Sequence, residues 1–460
     1  MNINRVQLYQ FRNYEKLDVS LSPHLNLITG VNGTGKTNLL EAIYMASRLR
    51  SFRSANMQTL VRHGQTGFSL QMDFLTQSSP PNLQPLNRHS SNLHSSNLHS
   101  PNPQSKPKSI NQINSQSSAK TSIPYSKTPV KEHSPATRLV LSFHKGVKTL
   151  KINDQIRTPS TALKETPRII LFTIDDILLV QGSASLRRTF MDQAIMQHYP
   201  EYNTALETYT KALRNRNKDI KQRKSFRTWD KLLARAGIEL LAWREKFIRS
   251  LNKHIGIIFQ DLTGTASPST MSAMSAMAVT YAITSKLPAT KIADYYRNPT
   301  RTPLAAPASS NTKNSIPFTT PKPIVPAYED YLALLTAHSE HDKRRGYTVF
   351  GPHSDDLIIT IRNRPALGYA SQGESRILAY ALKFGIFKLL QHRFKTSPVL
   401  LLDDTFAELD NAKLQNLMKW ISNRAQALLT CAQPQLLLPY LHNGIVFKTA
   451  HNNITRIKQS

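Results

Sequence analysis

The stretch Leu25-Asn-Leu-Ile-Thr-Gly30-Val-Asn-Gly33-Thr-Gly35-Lys36-Thr37-Asn38-Leu-Leu-Glu-Ala-Ile43 leaves the chain few structural choices. A short apolar run rich in strand formers meets glycines at 30, 33 and 35 and a Lys-Thr pair, then opens into helical spacing at Leu39, Leu40, Ile43 and Met45. Strand, glycine-rich turn and helix in that order are the context a phosphate-binding loop requires. Backbone N–H groups of such a turn converge on an anion, and the following helix adds the positive end of its dipole. Glycine is needed because a β-carbon would hold the backbone away from the phosphates. The expected nucleotide contacts are Gly30, Val31, Asn32, Gly33, Thr34, Gly35, Lys36, Thr37 and Asn38. Lys36 would face the β and γ phosphates of ATP, and the Thr37 hydroxyl would hold Mg²⁺. A turn that merely ended a strand would need neither Lys36 nor Thr37 in register.

Charge narrows the partners. Lys and Arg number 59 against 29 Asp and Glu in 460 residues, a formal net charge of +30. An excess of that size favours polyanions, nucleic acid first and an anionic membrane surface second. Cys431 stands alone, which excludes an internal disulfide or a cysteine-rich zinc site and fits a reducing cytosol. Met1-Asn-Ile-Asn-Arg-Val6 has no apolar core of the kind a signal peptide needs, and apolar runs such as Arg168 to Asp175 fall short of the ~20 residues that cross a bilayer. The expectation is a soluble cytoplasmic protein with no membrane partner.

Residues 3–29 read as strands joined by a turn, with Leu17, Val19 and Leu21 in strict alternation. The helix after the phosphate loop runs to about Leu49 and ends among Arg48, Arg50 and Arg53; residues 67–75 alternate again as a strand. From 77 to 136 the composition turns to Ser, Asn, Pro, Gln and Lys, with a tandem pentad at Ser90–His94 and Ser95–His99, and this stretch is expected to be a disordered insertion. Its histidines His89, His94 and His99 lack the rigid scaffold that a metal site requires. Two alternating runs around Lys145-Gly146 predict a hairpin, Ile169 to Phe172 a buried strand, and Thr173-Ile-Asp-Asp176 a helix start at Ile177.

From Gly182 the apolar period becomes helical, with Ser183 or Ser185 as cap and Arg187 and Arg188 on the flank. The helix from Tyr202 ends in a run of cations, Lys211, Arg214, Arg216, Lys218, Lys221, Arg223, Lys224 and Arg227, with Asp219 the only acid among them. Solvated helix faces mix signs, so this one is read as a surface for the phosphate backbone of DNA. Residues 229–262 predict a further helix, the series Met271, Met274, Met277 has helical spacing, residues 299–327 read as a linker, and helix returns at Tyr328.

The remaining motifs lie near the C-terminus. Gly351-Pro-His-Ser-Asp-Asp356 is read as a capped turn in preference to a metal site. Ser371-Gln372-Gly373 opens a helix and offers a hydroxyl, free N–H groups and a dipole to an anion. The apolar strand Val399-Leu-Leu-Leu-Asp403 ends in two carboxylates. Asp403 is placed to hold Mg²⁺ through its water shell and Asp404 to orient the attacking water. Lys36 and Asp403 bracket most of the chain, so a lobe must be inserted within the nucleotide domain, because domains most often run ~100–150 residues.

Taken together, Gln10-Phe-Arg-Asn-Tyr14, Gly30 to Asn38, Ser51-Phe-Arg53, Gly182 to Arg188, Gly351-Pro-His353, Ala370-Ser-Gln-Gly373 and Leu400-Leu-Leu-Asp-Asp404 resemble the ABC-type ATPase heads of SMC and DNA-repair proteins, and most closely the bacterial RecF family. The resemblance implies an α/β fold, an ABC-type head of mixed sheets in two parts, 1–178 and 345–460, carrying an inserted mainly α-helical lobe at 179–344. It implies ATP held between two subunits, with Lys36 and Asp404 of one and Ser371 of the other acting in slow DNA-dependent hydrolysis. It also implies binding of duplex DNA and of single-strand/duplex junctions at gaps, with RecR as partner and RecO and RecA in the same repair pathway. Three positions depart from the family pattern: Glu374 where Gln is usual, Ser354 where Arg is usual, and Leu171-Phe-Thr-Ile-Asp-Asp176 in place of Phe-Ser-Pro-Glu-Asp. An SMC-like chromosome ATPase would need long heptad arms, for which 180–344 is too short and proline-interrupted. A transporter ATPase would carry a switch histidine where Cys431 stands.

Overall fold

The computed structural model describes residues 1–75, 136–264, 277–282, 328–406, 408–422, 424–441, 444–450 and 453–457. Of the insertion read at 77–136, residues 77–135 with the histidines lie outside the described residues, as do the linker at 299–327, Met271 and Met274.

Fifteen strands are described: β1 (Asn2–Phe11), β2 (Tyr14–Ser20), β3 (Leu25–Thr29), β4 (Gly67–Leu75), β5 (Thr137–His144), β6 (Val147–Ile152), β7 (Gln155–Ile156), β8 (Ile169–Phe172), β9 (Met277–Ala282), β10 (Asp356–Ile361), β11 (Arg364–Pro365), β12 (Val399–Asp403), β13 (Ala427–Cys431), β14 (Ile445–Ala450) and β15 (Asn453–Ile457). The sheet that positions the site has the order β15-β14-β3-β13-β12-β8, with β8, β12, β13, β3 and β14 parallel. Its inner strands are apolar without alternation because both faces are covered. Ile28, Leu401 and Leu428 face one core, shared with the helix Lys36–Arg48 and the antiparallel sheet β2-β1-β4-β5-β6-β7. Leu27, Leu400, Leu402 and Leu429 face the other core, shared with the helix Gln372–Phe394.

That second core continues without a break into the helices Ala184–His198, Glu201–Lys221 and Arg227–Thr263. The long helix Arg227–Thr263 crosses Gln372–Phe394 closely at Gly385, where a β-carbon would come within 2.6 Å of Leu251 and 2.7 Å of Ile255. Next to this crossing, Phe384 of the same helix meets the Trp420 ring at a centroid distance of 3.9 Å.

Local structure departs from the sequence reading at two points. Met277 begins strand β9, paired antiparallel with Ile361 of β10, and so belongs to no helical face. The turn after β8 coils one residue group earlier than expected, over Ile174–Ile177, because Thr173 and Asp176 form a reciprocal capping box. Among the described residues no helix is long and apolar enough to cross a membrane.

Candidate nucleotide site

The parallel strands deliver their C-terminal ends to one edge, the place where open α/β sheets bind ligands. The phosphate loop follows β3, Asp403 ends β12, and Thr430, directly opposite Asp403 in the ladder, lies near the end of β13. Gly33 and Gly35 take left-handed φ values of 85° and 102°. Gly35 has a second constraint: a β-carbon there would stand 2.8 Å from the Tyr14 hydroxyl and overlap Asn13. These two neighbours brace the loop, since Tyr14 donates to the Gly35 carbonyl at 2.9 Å and Asn13 to the Thr34 carbonyl at 3.2 Å. From the other side Thr34 Oγ1 meets Thr449 Oγ1 at 2.6 Å.

Lys36 is buried and curls over its own loop, donating to the carbonyls of Gly30 at 2.7 Å and Val31 at 3.1 Å and to Asn32 Oδ1 at 3.4 Å. Thr37 Oγ1 donates to Asp403 Oδ1 at 2.9 Å, which joins two motifs 366 residues apart. Thr430 Oγ1 donates to the same Asp403 oxygen at 2.7 Å and accepts the Asp404 N–H at 2.9 Å. Burial pushes the Asp403 carboxyl up from its ordinary pKa; the two hydroxyl bonds oppose this and the neighbouring Asp404 adds to it. Asp404 itself sits at φ 49°, a left-handed conformation that turns its side chain out of the strand register.

Flanking segments are locked onto the loop helix by one buried carboxylate. Glu41 accepts Arg12 Nε at 2.9 Å, Arg12 Nη2 at 2.8 Å and Ser51 Oγ at 2.5 Å, while Arg53 donates to Asn38 Oδ1 at 2.9 Å. The motifs around Arg12 and Ser51-Phe-Arg53 thus serve to hold Gly30–Asn38 in place. A cavity of about 890 Å³ opens beside Thr37, Asp403 and Asp404, walled by Arg50, Arg53, Asp175 and Asp176 among others.

Ser371, Gln372 and Gly373 are not among the walls of that cavity. Ser371 caps the helix Gln372–Phe394 and, with Gln372, is exposed. Ser371 Oγ accepts the Glu374 N–H at 3.2 Å, and Glu374 Oε2 accepts the Ser371 N–H at 3.0 Å. Glu374 also pairs with Arg362 at 3.3 Å. The departure at 374 is therefore a capping-box acid, held back on its own chain. Ser354 at the second departure donates to the Gly351 carbonyl at 2.8 Å. His353 and Asp356 make no metal cluster: His353 meets the Tyr209 hydroxyl at 2.6 Å, and Asp356 takes both arms of Arg187 at 2.7 Å.

The cationic run divides. Lys211, Arg214, Lys218, Lys221, Arg223 and Lys224 are exposed. Arg216 is not a DNA-contact residue: it is fully buried, donates to Asp230 at 2.7 Å, Asp342 at 2.6 Å and Thr348 at 2.7 Å, and lies over the Phe226 ring. Helical periodicity accounts for the split, because Ala212, Arg216 and Ile220 share the face turned to the core.

With this geometry in view, the family model described as "RecF/RecN/SMC N terminal domain" matches residues 2–454. The chain belongs to that family. Relatives extend the likeness over nearly the whole length. The DNA replication and repair protein RecF of Clavibacter sepedonicus is 28% identical over 447 residues, 94% of this chain and 90% of the relative. That of Acidothermus cellulolyticus is 26% identical over 458 residues, 98% of each chain. Among solved structures, the recombination mediator protein RecF-ATPrS in the RecFOR pathway superposes with a TM-score of 0.69 at 20% identity, covering 99% of this chain and 98% of that one. RecF-ATP of the same pathway gives 0.67 at 20% identity. The expected ABC-type α/β head and the resemblance to bacterial RecF are both borne out.

Two residues of the site carry no motif in the sequence. Thr430 stands one residue before the lone cysteine, and its signal is a hydroxyl near the end of a buried strand beside the Asp403 strand. Thr449 lies near the end of another parallel strand in the same way. Both needed the strand order β14-β3-β13-β12 to be known.

Proposed function

We propose that this chain is an ATP-controlled DNA-binding repair factor of the RecF type, in which ATP joins two copies of the protein. The observation that carries this reading is the Thr37–Asp403 hydrogen bond at 2.9 Å beside a cavity that Ser371-Gln372-Gly373 do not reach. One copy thus supplies the phosphate loop and carboxylates, and the exposed helix start of a second copy completes the site.

Lys36 exchanges its bonds to the loop carbonyls for the β and γ phosphates, and the loop N–H groups converge on the same oxygens. The capping box uses the Ser371 and Glu374 N–H groups and leaves those of Gln372 and Gly373 for the γ-phosphate of the opposing nucleotide. Thr37 and Asp403 form a hard-oxygen donor set suited to Mg²⁺, which typically takes one or two carboxylates and fills its shell with water and phosphate. Bound there, Mg²⁺ would neutralise charge on the phosphate oxygens. Asp404, held by Thr430 through its N–H, orients the attacking water.

The exposed cations Lys211, Arg214, Lys218, Lys221, Arg223 and Lys224 provide the phosphate-backbone surface. Relatives named DNA replication and repair protein RecF, and RecF structures described as recombination mediators of the RecFOR pathway, support a role in DNA repair. The reading takes gapped DNA as target, RecR as partner, RecO and RecA in the same pathway, and the cytoplasm as its place. ATP hydrolysis measured without DNA, with duplex, with single strand and with gapped duplex tests the reading. Slow turnover stimulated by duplex-containing DNA is expected; turnover indifferent to every DNA would overturn the DNA-repair assignment.

A further inference from the structure

The long helix Arg227–Thr263 and the helix Gln372–Phe394 cross at Gly385, and basic side chains gather on the solvent side of that crossing. Lys246, Lys253, His392 and Arg393 are exposed, and Lys388 is half-buried. Arg393 and Lys246 both lie over the Tyr199 ring, at 4.9 and 4.8 Å from its centre, and Lys246 lies over Trp243 at 5.0 Å. Two histidines report how closely the group is drawn together. Burial first, then Arg393, Lys246 and His392, hold the His198 ring below its ordinary pKa; burial first, then Lys388, His392 and Lys253, do the same to His254.

Solvated helix faces mix signs, and this one does not. Among the described residues none of the five enters an ion pair. The acids at hand are Glu245, taken by Arg249, and Asp261, which answers Arg424 first and Lys388 second. The chain has no acidic segment of its own to cover the face: Glu132 and Asp294 are the only acids outside the described residues, and no run of three acids occurs anywhere in the sequence. The face also differs from a nucleic-acid track. Bases would need open rings to stack on, whereas Tyr199 is 7% exposed beneath its cations. Ile257, one turn after Lys253, is 64% exposed and sets an apolar side chain at the end of the row. Trp229 Nε1 donates to Asp219 Oδ2 at 2.8 Å, which pins the cationic end of Glu201–Lys221 to the start of the long helix. Lys246 and Lys253 lie roughly 25 and 36 Å further along that helix, on the flank that meets Gln372–Phe394.

We propose that this face docks an acidic segment of a partner protein, with carboxylates on Lys246, Lys253, Lys388 and Arg393 and one apolar side chain against Ile257. Arg393 can take a carboxylate through two parallel N–H bonds, and the rings beneath Arg393 and Lys246 hold both cations in place before the partner arrives. Charge complementarity selects the partner, because neither the insertions of this chain nor a second copy of it offers the acids. The face is complete in one copy and contains no part of the nucleotide site, so docking needs neither ATP nor the ATP-joined dimer. It also proceeds with DNA bound at Lys211, Arg214 and Lys218.

The test measures fluorescence anisotropy of the full chain, without nucleotide and at low salt, against three labelled probes: an oligo-glutamate peptide, the same peptide with one central leucine, and a DNA duplex. Wild type should bind the leucine peptide more tightly than the plain one. The triple change Lys246→Gln, Lys253→Gln and Arg393→Gln keeps aliphatic stems on the rings; it should weaken both peptides about tenfold and leave duplex affinity within about twofold. Lys211→Gln, Arg214→Gln and Lys218→Gln together should do the reverse. Ile257→Ser should erase the difference between the two peptides. Lys253→Glu alone, at an exposed residue that touches no ring, should weaken the peptides about threefold and serves should the triple variant fold poorly. A wild type without affinity for either peptide, peptide binding that survives the substitutions at this face, or a preference for leucine that survives Ile257→Ser would overturn the proposal. Equal losses of peptide and duplex in the triple variant would overturn it too, by assigning the face to nucleic acid.

Discussion

Arg216 separates structure from charge in a way that mutation can measure. Its guanidinium is fully buried and lies between Asp230 and Asp342, themselves 4% and 0% exposed. Arg216→Ala would leave both carboxylates in the interior without their cation. Removing one partner of a buried pair destabilises by about 3–5 kcal/mol, and two stranded acids place this change near about 5 kcal/mol. Asp342 keeps one bond, from the Val349 N–H at 2.9 Å, so the estimate goes no higher. Lys218→Ala on the exposed side of the same helix should stay within about 0.5 kcal/mol. In urea, with a slope of about 3 kcal/mol/M, the Arg216 change moves the midpoint down by about 1.7 M and the Lys218 change by less than about 0.2 M. Arg216→Met with Asp230→Asn and Asp342→Asn should recover part of the loss, since no charge remains buried. DNA binding should divide the other way. Neutralising Lys211, Arg214 and Lys218 together should lower the slope of log affinity against log salt by about 3. Equal midpoints for Arg216→Ala and Lys218→Ala, together with a reduced salt slope for Arg216→Ala, would refute the burial argument.

Thr430→Val deletes the hydroxyl shared by Asp403 and the Asp404 N–H, worth roughly 2–4 kcal/mol of ordering across the two bonds. ATP turnover should fall on the order of 10- to 100-fold with nucleotide affinity changed less than about threefold; equal losses in both would show that Thr430 supports the loop and not the carboxylates. His198 gives a pH signature: burial first, then Arg393, Lys246 and His392, push its ring down to about 4 from 6.5. The unfolded chain then binds the extra proton, so this contribution is complete above about 6.5 and is lost as pH falls from there toward 4. His198→Asn should flatten the fall in urea midpoint across that window, and an unchanged fall would contradict it.

Much of this architecture was readable before any coordinates. The phosphate loop, the Asp403-Asp404 strand end and the Ser371 helix start each combine a residue pattern with a local element, and local patterns survive folding. The capping box at Ser371-Gln-Gly-Glu374 was also in plain sight, since Ser followed three residues later by Glu is its signature. Glu374 was instead read only against a family pattern. Arg216 could not be told from Lys218 by charge; its helical register beside Ala212 and Ile220 was the available clue. Asn13 and Tyr14 stood in the motif Gln10–Tyr14, but that they brace Thr34 and Gly35 depends on how the β1–β2 turn packs on the loop. Thr430 and Thr449 were beyond reach, because each acts through a contact with a segment distant in sequence, fixed by the order of strands in the sheet.

Sedimentation velocity with ATP and Mg²⁺ bears most directly on the composite site. The protein should sediment as a dimer with ATP and as a monomer without it. Lys36→Ala, which removes the phosphate contact, and Ser371→Arg, which blocks the exposed helix start, should each remain monomeric while still unfolding in one cooperative urea transition. A chain that stays monomeric at saturating ATP, or a dimer that forms equally well without nucleotide, would contradict the account.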